Sequence, residues 1–412
     1  MAAGREVAIA GAGVAGLALG ALLANAGWRV TVFDKLERPA PIGSGLILQP
    51  VGMAVLAKLG VAGRARDLGA RIDRLLGRAK PTDRVVLDVR YSALDSTSHG
   101  IGVHRGALFE ILHDAAVKAG VNFETRREVR SVKDRRFLFA NGAESAPFHL
   151  LIDALGVRSP LSPKTGRLLA YGALWASLDW SHGEAFDANA LEQRYVAARR
   201  MVGVLPIGRL RDGAPTQAAF FWSLKGIDLG AWRTGAFDAW KDEVRTIWPE
   251  VEPFLAQIAT HDDLVYASYA HRTLAYPVTR GLVHVGDSFR CTSPQLGQGA
   301  NMALLDAFAL AYALTTTRGM DEALAAYARM RLMHTRLYQT ASWLFTPVYQ
   351  SDSEILPWLR DWIAGPLSRI PPAPKVLAAL VAGAIGSPLK AIGADLMDAR
   401  ATSMLPSADV SS

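Results

Sequence analysis

Glu6-Val7-Ala8-Ile9-Ala10-Gly11-Ala12-Gly13-Val14-Ala15-Gly16, continued by the apolar run Leu17 to Leu23, is the stretch whose reading decides the fold. The chain then turns at Asn25-Ala26-Gly27 and resumes as Trp28-Arg29-Val30-Thr31-Val32-Phe33, ending on Asp34. The order is strand, glycine loop, helix, strand, acid. Gly11 permits a tight turn, Gly13 lets backbone approach a pyrophosphate, and Gly16 lets helix and strand pack closely. The N–H groups at the helix start face the phosphates, and Asp34 is placed to accept ribose hydroxyls. The acid follows Gly16 by 18 positions, near the roughly 20 expected of such a site. An acid there favours the adenosine ribose of FAD or NAD over a 2′-phosphate.

Composition bounds the rest. A chain of 412 residues, 50% hydrophobic and 20% charged, has room for two or three domains with ample core. The net charge of +7 comes mostly from Arg spread along the chain. Its basic clusters, Arg126-Arg127 and Lys133 to Arg136, are interrupted by acids and read as a solvated face. No nucleic-acid module is present and no nucleic-acid partner is expected. The single Cys291 excludes an intramolecular disulfide framework and any multi-cysteine metal site, and fits a reducing, cytoplasmic setting. No metal is expected. The first strand begins by about residue 6, so no secretory signal fits ahead of it. Val376 to Ile385 is apolar but falls short of the ~20 residues needed to span a bilayer. It packs on the body or lies at a membrane interface, helped by Lys375, Lys390, Trp358 and Trp362.

Farther along, Val51 to Leu59 has helical spacing and residues 82–94 alternate as strands do. Arg105 to Ala119 reads as a helix, Val121 to Phe139 as short strands with a turn at Asn141-Gly142, and Leu150 to Leu155 as a buried strand. From about 168 to 280 the texture changes. Leu168 to Trp180, Met201 to Ile207 and Ala218 to Leu224 are aromatic-rich strands, and Phe237 to Trp248 is a helix. Gly281 to Asp287 returns to a core strand. Long helices follow, from near Asn301 and from near Met320, then short helices over 346–398 and a frayed end over 403–412.

The second informative segment is Gly286-Asp287-Ser288-Phe289-Arg290-Cys291-Thr292-Ser293-Pro294-Gln295-Leu296-Gly297-Gln298-Gly299-Ala300-Asn301. It resembles the GD motif of the flavoprotein aromatic hydroxylases, the family of para-hydroxybenzoate hydroxylase: GD, a Pro seven residues after the Asp, then GxGxN opening a helix. The glycine loop, the Arg105 segment and this block stand in the family's order. The resemblance implies an α/β fold: a Rossmann-like, three-layer FAD-binding domain with a largely parallel sheet, an inserted β-sheet substrate domain and a helical C-terminal region. The expected division is 1–75, 98–167 and 281–345 for FAD, 76–97 and 168–280 for substrate, and 346–412 for the helical end with its frayed tail.

The same resemblance implies the site. Asp287 meets the ribityl chain, and Pro294, Gly297, Gly299, Ala300 and Asn301 meet the flavin ring. Arg105 contacts the FAD phosphates or ribityl chain. Gly11, Gly13, Ala15, Gly16, Asp34 and Lys35 hold the adenosine half. The stretch Pro41 to Pro50, with Gly45, is similar to the family's mobile loop or is a surface turn. The residues agree chemically, since a helix starting near Asn301 directs its positive end at the loop, where a reduced flavin carries negative charge.

Departures limit what is carried over. The family's Ala-Asp-Gly stretch corresponds to Asp153-Ala154-Leu155-Gly156. Gly156 matches, the motif's Asp falls on Leu155, and Asp153 either acts at the cofactor or ends its strand. Direct nicotinamide reduction is the property this puts in question. The family's usual His after GD is Arg290. No second GxGxxG appears, as is normal where the reductant binds transiently. No Trp-x-Trp-x-Ile-Pro halogenase signature is present. Cys291 reads as a small buried residue rather than a redox group.

The function implied is an FAD-dependent monooxygenase using molecular oxygen and NADH or NADPH. It would hydroxylate or epoxidise a hydrophobic aromatic, polyketide-like or terpenoid molecule through a flavin C4a-hydroperoxide. Catalysis would then be flavin-centred, with no His/Asp or Ser/His constellation required. Pocket candidates are Phe220 and Trp222 on one strand, Leu205-Pro206 on another, Tyr276 and Pro294; alternation sends Phe221 to the face opposite Phe220 and Trp222. His271 and Arg272 bind an anionic or phenolic group or merely decorate the sheet. The alternatives are an FAD-dependent oxidase or reductase without direct NAD(P)H use, and a non-catalytic flavoprotein subunit touching membrane or partners through the C-terminal region.

Overall fold

The computed structural model describes residues 5–37, 44–163, 166–180, 185–279 and 281–386. The first strand, Glu6–Ala10, lies inside a six-stranded sheet. It pairs in parallel with Arg29–Phe33 on one side and Leu150–Asp153 on the other. Asn122–Glu124 extends one edge. Leu282–His284 extends the other in parallel, and Val278–Thr279 closes it antiparallel. Both faces are covered, which is why the central strands are continuous apolar runs rather than alternating ones. On one face lies helix Val14–Asn25, packed in turn on helices Arg105–Lys118 and Gly299–Thr316. Two of these helices, Val14–Asn25 and Gly299–Thr316, are apolar nearly all round because protein surrounds them. Leu17, Leu19 and Leu23 have no exposed surface, each such burial contributing about 1.5–3 kcal/mol. On the other face the hairpin Val129–Lys133/Arg136–Phe139 brings Phe137 and Phe139 against Phe33. Helices, parallel sheet and ribbon make the three layers.

A second sheet has seven strands in the order Val265–Ala267, Tyr171–Asp179, Gln217–Lys225, Arg200–Gly208, Ala190–Val196, Arg74–Lys80, Arg84–Arg90. Only the contact of Ala190–Val196 with Arg74–Lys80 is parallel. Ala190–Val196 is a strand that periodicity did not announce, because Glu192, Gln193 and Arg194 interrupt its apolar pattern. Arg74–Lys80 lies wholly in this sheet and Val278–Thr279 in the parallel one, so each junction sits two residues or so from its expected place. One face of the sheet packs against helix Phe237–Ile247, whose Trp240, Val244 and Ile247 recur at helical spacing. The other face looks toward the parallel sheet.

The C-terminal part begins with the helix Met320–Tyr349, followed by short helical turns and the helix Ala373–Val381, which packs on Arg84–Arg90. Exposed large side chains gather here, including Trp343, Trp358 and Trp362. No helix among the described residues is long and apolar enough to cross a membrane. Lys390, the residues 403–412 and Pro41 to Gly43 lie outside the described residues.

Candidate active site

The glycine loop leaves the end of the first strand and enters helix Val14–Asn25. Gly11 has φ +105, and a Cβ on Gly16 would stand 2.0 Å from the Gly11 carbonyl oxygen, so neither position accepts a side chain. A Cβ on Gly13 would meet nothing within 4 Å. No side chain caps this helix, so its first amides are left for something else. Asp34 lies beside the loop: its carboxylate accepts from the backbone N–H of Ala12 at 2.9 Å and of Leu36 at 2.9 Å. Lys35 is exposed next to it.

The GD segment reaches the same place from the far end of the chain. Gly286, with φ +61, sits against Ala15 of the glycine helix, where a Cβ would be 3.1 Å from the Ala15 methyl. Its N–H donates to Asp306 at 2.9 Å. Asp306 is fully buried and also accepts from Arg331 at 2.6 Å and Arg290 at 3.0 Å, tying the GD turn to both long helices. Burial pulls Arg290 down to about 10. Arg290 thus replaces the family's usual His as part of a buried ion cluster.

Both segments line one cavity of about 1070 Å³ between the two sheets. Gly13, Ala15, Gly45, Arg105, Gly156, Asp287, Pro294, Gly297, Gly299 and Ala300 all face it. Arg105 and Asp287 are open to the cavity yet deeply enclosed by protein. Desolvation pushes Asp287 up, against the pull of Arg105, and pushes Arg105 down, against the pull of Asp287. Gln49 is fully buried, donates nothing from its Nε2, and holds its Oε1 against the Tyr91 hydroxyl at 2.5 Å. That Nε2 lies 3.4 Å from where a Cβ of Gly297 would be. Unspent helix amides, an enclosed acid and base, and an orphaned amide beside a left-handed glycine turn fit a long, flat, anionic ligand. FAD matches each: diphosphate, ribityl hydroxyls and a ring edge that accepts hydrogen bonds.

Several expected contacts lie elsewhere. Asn301 has no exposure; its Oδ1 accepts from Gln49 N–H at 2.8 Å and its Nδ2 donates to the Ile47 and Gly297 carbonyls. It staples the loop rather than facing the cavity. Asp153 also points inward, accepting from Ser159 at 2.7 Å, with His284 at 2.9 Å and the Leu155 N–H at 3.0 Å. Its strand brings it into the sheet interior, so it terminates the strand and shapes the turn while Gly156 and Arg158 reach the cavity. Phe220 and Trp222 face away, packed edge-on to Trp240 at 6.4 and 6.3 Å. Phe221 is the residue of that strand at the cavity, its ring tilted 32° against that of Trp175 with centroids 4.6 Å apart. Tyr276 is 44% exposed and outside. Leu205, His271 and Arg272 line the wall, with the His271 imidazole 3.4 Å from Ser342 and held below its usual range by burial. Burial also raises the Cys291 thiol to about 12, which leaves it inert.

Other lining residues carried no sequence signal. Tyr195, Gln193 and Met201 come from strands of the second sheet, Tyr269 from the bend after it, and Tyr349, Leu377 and Leu380 from the C-terminal helices. Tyr269 accepts from the Trp175 indole at 3.0 Å and interacts with Arg105, joining the polar and apolar ends.

These features define a flavin-dependent oxidoreductase. Residues 5–136 match the FAD binding domain family. The chain is 29% identical over 351 residues to 3-amino-4-hydroxybenzoate 2-monooxygenase of Streptomyces cremeus, covering 80% of this chain and 84% of that one. It is 24% identical to aurachin C monooxygenase/isomerase of Stigmatella aurantiaca, covering 88% and 94%. The fold matches the tetrameric form of 2-methyl-3-hydroxypyridine-5-carboxylic acid oxygenase with a TM-score of 0.75 at 19% identity, over 94% of this chain and 98% of that one. Over most of its length the chain is similar to FAD-dependent monooxygenases of the aromatic hydroxylase type, and residues 5–136 carry the match to the FAD binding domain.

Proposed function

We propose that this protein transfers one oxygen atom from molecular oxygen to a hydrophobic, aromatic-type small molecule, with NADH or NADPH as reductant. One atom of oxygen enters the product and the other leaves as water, the two electrons coming from the nicotinamide. The carrying observation is a single cavity with the glycine-loop amides and the Asp287–Arg105 pair at one end and apolar aromatic side chains at the other. FAD, when bound, supplies the redox chemistry and the activation of oxygen.

This chain's residues bind, orient and exclude water. On this reading the amides of Gly13 to Ala15 hold the diphosphate and Asp34 the adenosine ribose. Asp287 accepts from ribityl hydroxyls, with Arg105 balancing its charge. Pro294 and the Gly297–Ala300 turn lie along the ring, and the Gln49 amide, braced by Tyr91, donates to its edge. Helix Gly299–Thr316 turns its positive end to the same edge. Trp175, Phe221 and Tyr269 keep the reacting end dry. The test is to purify the protein, release its chromophore, and follow NAD(P)H oxidation with a panel of hydrophobic aromatics under labelled oxygen. Substrate-stimulated oxidation with one labelled atom in the product is expected. A protein that neither retains nor binds FAD refutes the reading.

A second reading, an oxidase or reductase without direct NAD(P)H use, is favoured by one observation: Leu155 stands where the family has Asp, and Asp153 is turned inside. Stopped-flow reduction decides: flavin reduced by substrate and by neither nicotinamide selects it. The exposed Trp343, Trp358 and Trp362 support peripheral lipid contact of the C-terminal helices, in a catalytic protein or a silent subunit. Co-sedimentation with anionic vesicles tests that contact.

A further inference from the structure

The far end of the cavity is built from the second sheet and the C-terminal helices. Among the described lining residues of the seven-stranded sheet, Leu75 through Ala267, none is Lys, Arg, His, Asp or Glu. The same holds for Phe345, Tyr349, Leu377, Leu380 and Val381, which the helices contribute. A buried cation, Arg360, lies against rings of this wall, 5.0 Å from the Tyr195 ring and 5.4 Å from the Tyr349 ring, and is paired with Asp361 at 2.6 Å. Its guanidinium also donates to the Val348 carbonyl at 3.2 Å, and Arg360 itself is not among the residues lining the chamber. The charged lining residues lie on other elements: Arg105 at the start of helix Arg105–Lys118, Arg158 in the turn Gly156–Arg158, Asp287 in the GD turn, and Arg167, His271 and Arg272 on the short paired strands Arg167–Leu168 and Ala270–Thr273.

One polar group stands out at the apolar end. Gln193 is 7% exposed and faces the cavity. Its Oε1 accepts from the Tyr195 hydroxyl at 3.0 Å. Among the described residues its Nε2 has only the Met201 sulfur, at 3.3 Å, and a thioether is a weak acceptor. An amide hydrogen is therefore available to a better acceptor. A carboxylate brought against Gln193 would lose its hydration and find no cation among the lining residues of these two walls. A neutral carbonyl or hydroxyl oxygen would lose less and gain the amide.

We infer that the substrate is an uncharged aromatic whose single polar function is read by Gln193, and that carboxylated aromatics are rejected. This rests on the monooxygenase reading and assigns Gln193 as a specificity-determining residue. The chamber's apolar walls, closed by the inner face of helix Ala373–Val381, suit an alkyl or second-ring substituent on that aromatic.

The test uses oxidised, FAD-loaded protein at about pH 7.5, where a carboxylate is ionised. It is titrated with 2-naphthamide and 2-naphthoate, neutral and anionic probes of nearly one shape, and flavin absorbance is followed. The amide is expected to bind at least about tenfold more tightly. Gln193→Leu weakens the amide about fivefold and leaves the bound flavin unchanged, while the thermal midpoint falls because the buried Tyr195 hydroxyl loses its acceptor. Gln193→Arg reverses the preference. If that variant does not fold, the wild-type pair and Gln193→Leu still decide. Naphthoate binding as tightly as naphthamide, neither probe binding, or Gln193→Leu without effect each overturns the inference while the flavin stays bound. Failure to bind FAD at all is a different result and strikes the parent reading instead.

Discussion

Gly13 and Gly16 are three positions apart and constrain different things. At Gly16 the Gly11 carbonyl occupies the space a Cβ would need, so the cost of a side chain is paid by the fold. At Gly13 the same space is open and faces the cavity, so a methyl group would meet only a ligand. Gly16→Ala is expected to destabilise the protein by roughly 1–3 kcal/mol through a forced backbone shift. Gly13→Ala is expected to cost under about 1 kcal/mol, yet to weaken FAD binding several-fold. Denaturant unfolding and flavin titration of both variants check the pair. Equal stability losses would remove the distinction. Phe221 makes the same point about direction, since its neighbours Phe220 and Trp222 serve another core.

At the scale of elements, helix Met320–Tyr349 locks the GD turn in place through Arg331 and Asp306. His334, one turn on, is 1% exposed. Its Nε2 lies 3.2 Å from the Gly383 carbonyl and its Nδ1 is 3.1 Å from Arg331 Nη1. The Nδ1 must accept, so the imidazole must be neutral. Burial, with Arg331 beside it, pulls His334 down to about 2, against about 6.5 unfolded. The sign follows. Below about pH 6.5 the unfolded chain takes up a proton that the folded chain refuses, so stability falls as pH drops, by up to about 1.4 kcal/mol per unit for one group. His104 and His271, lowered by burial, act in the same sense. Urea unfolding between pH 7.5 and 5.5 is expected to show this loss, and His334→Gln to flatten it. A pH-independent unfolding free energy over that range contradicts the account.

For the whole molecule, the cavity separates two sheets and is walled by segments distant in sequence, from Gly13 to Val381. A ligand bridging them stabilises the native state by mass action, about 2.7 kcal/mol at a hundredfold excess over its dissociation constant. Stripping FAD should therefore lower the thermal midpoint and adding it back restore it in a concentration-dependent way. A midpoint indifferent to FAD argues that the two motifs do not share one ligand.

What could be known beforehand follows from the range over which each signal acts. The glycine loop, its helix and Asp34 are contiguous, and local spacing alone carries their geometry. The GD segment is also contiguous, so the chain itself determined the class of fold, the kind of cofactor and the ends of the cavity near Gly13 and Asp287. Side-chain direction is a different matter. Asn301 and Asp153 are polar residues beside glycine turns, and only their packing against Gln49 and His284 turns them inward. Gln193 sits on a strand without clear alternation, and Tyr349 and Leu380 on helices with no mark of function. Their place at the substrate end was decided by tertiary structure, because a cavity wall is assembled from faces of elements far apart in sequence, and which face turns inward is settled only when those elements pack.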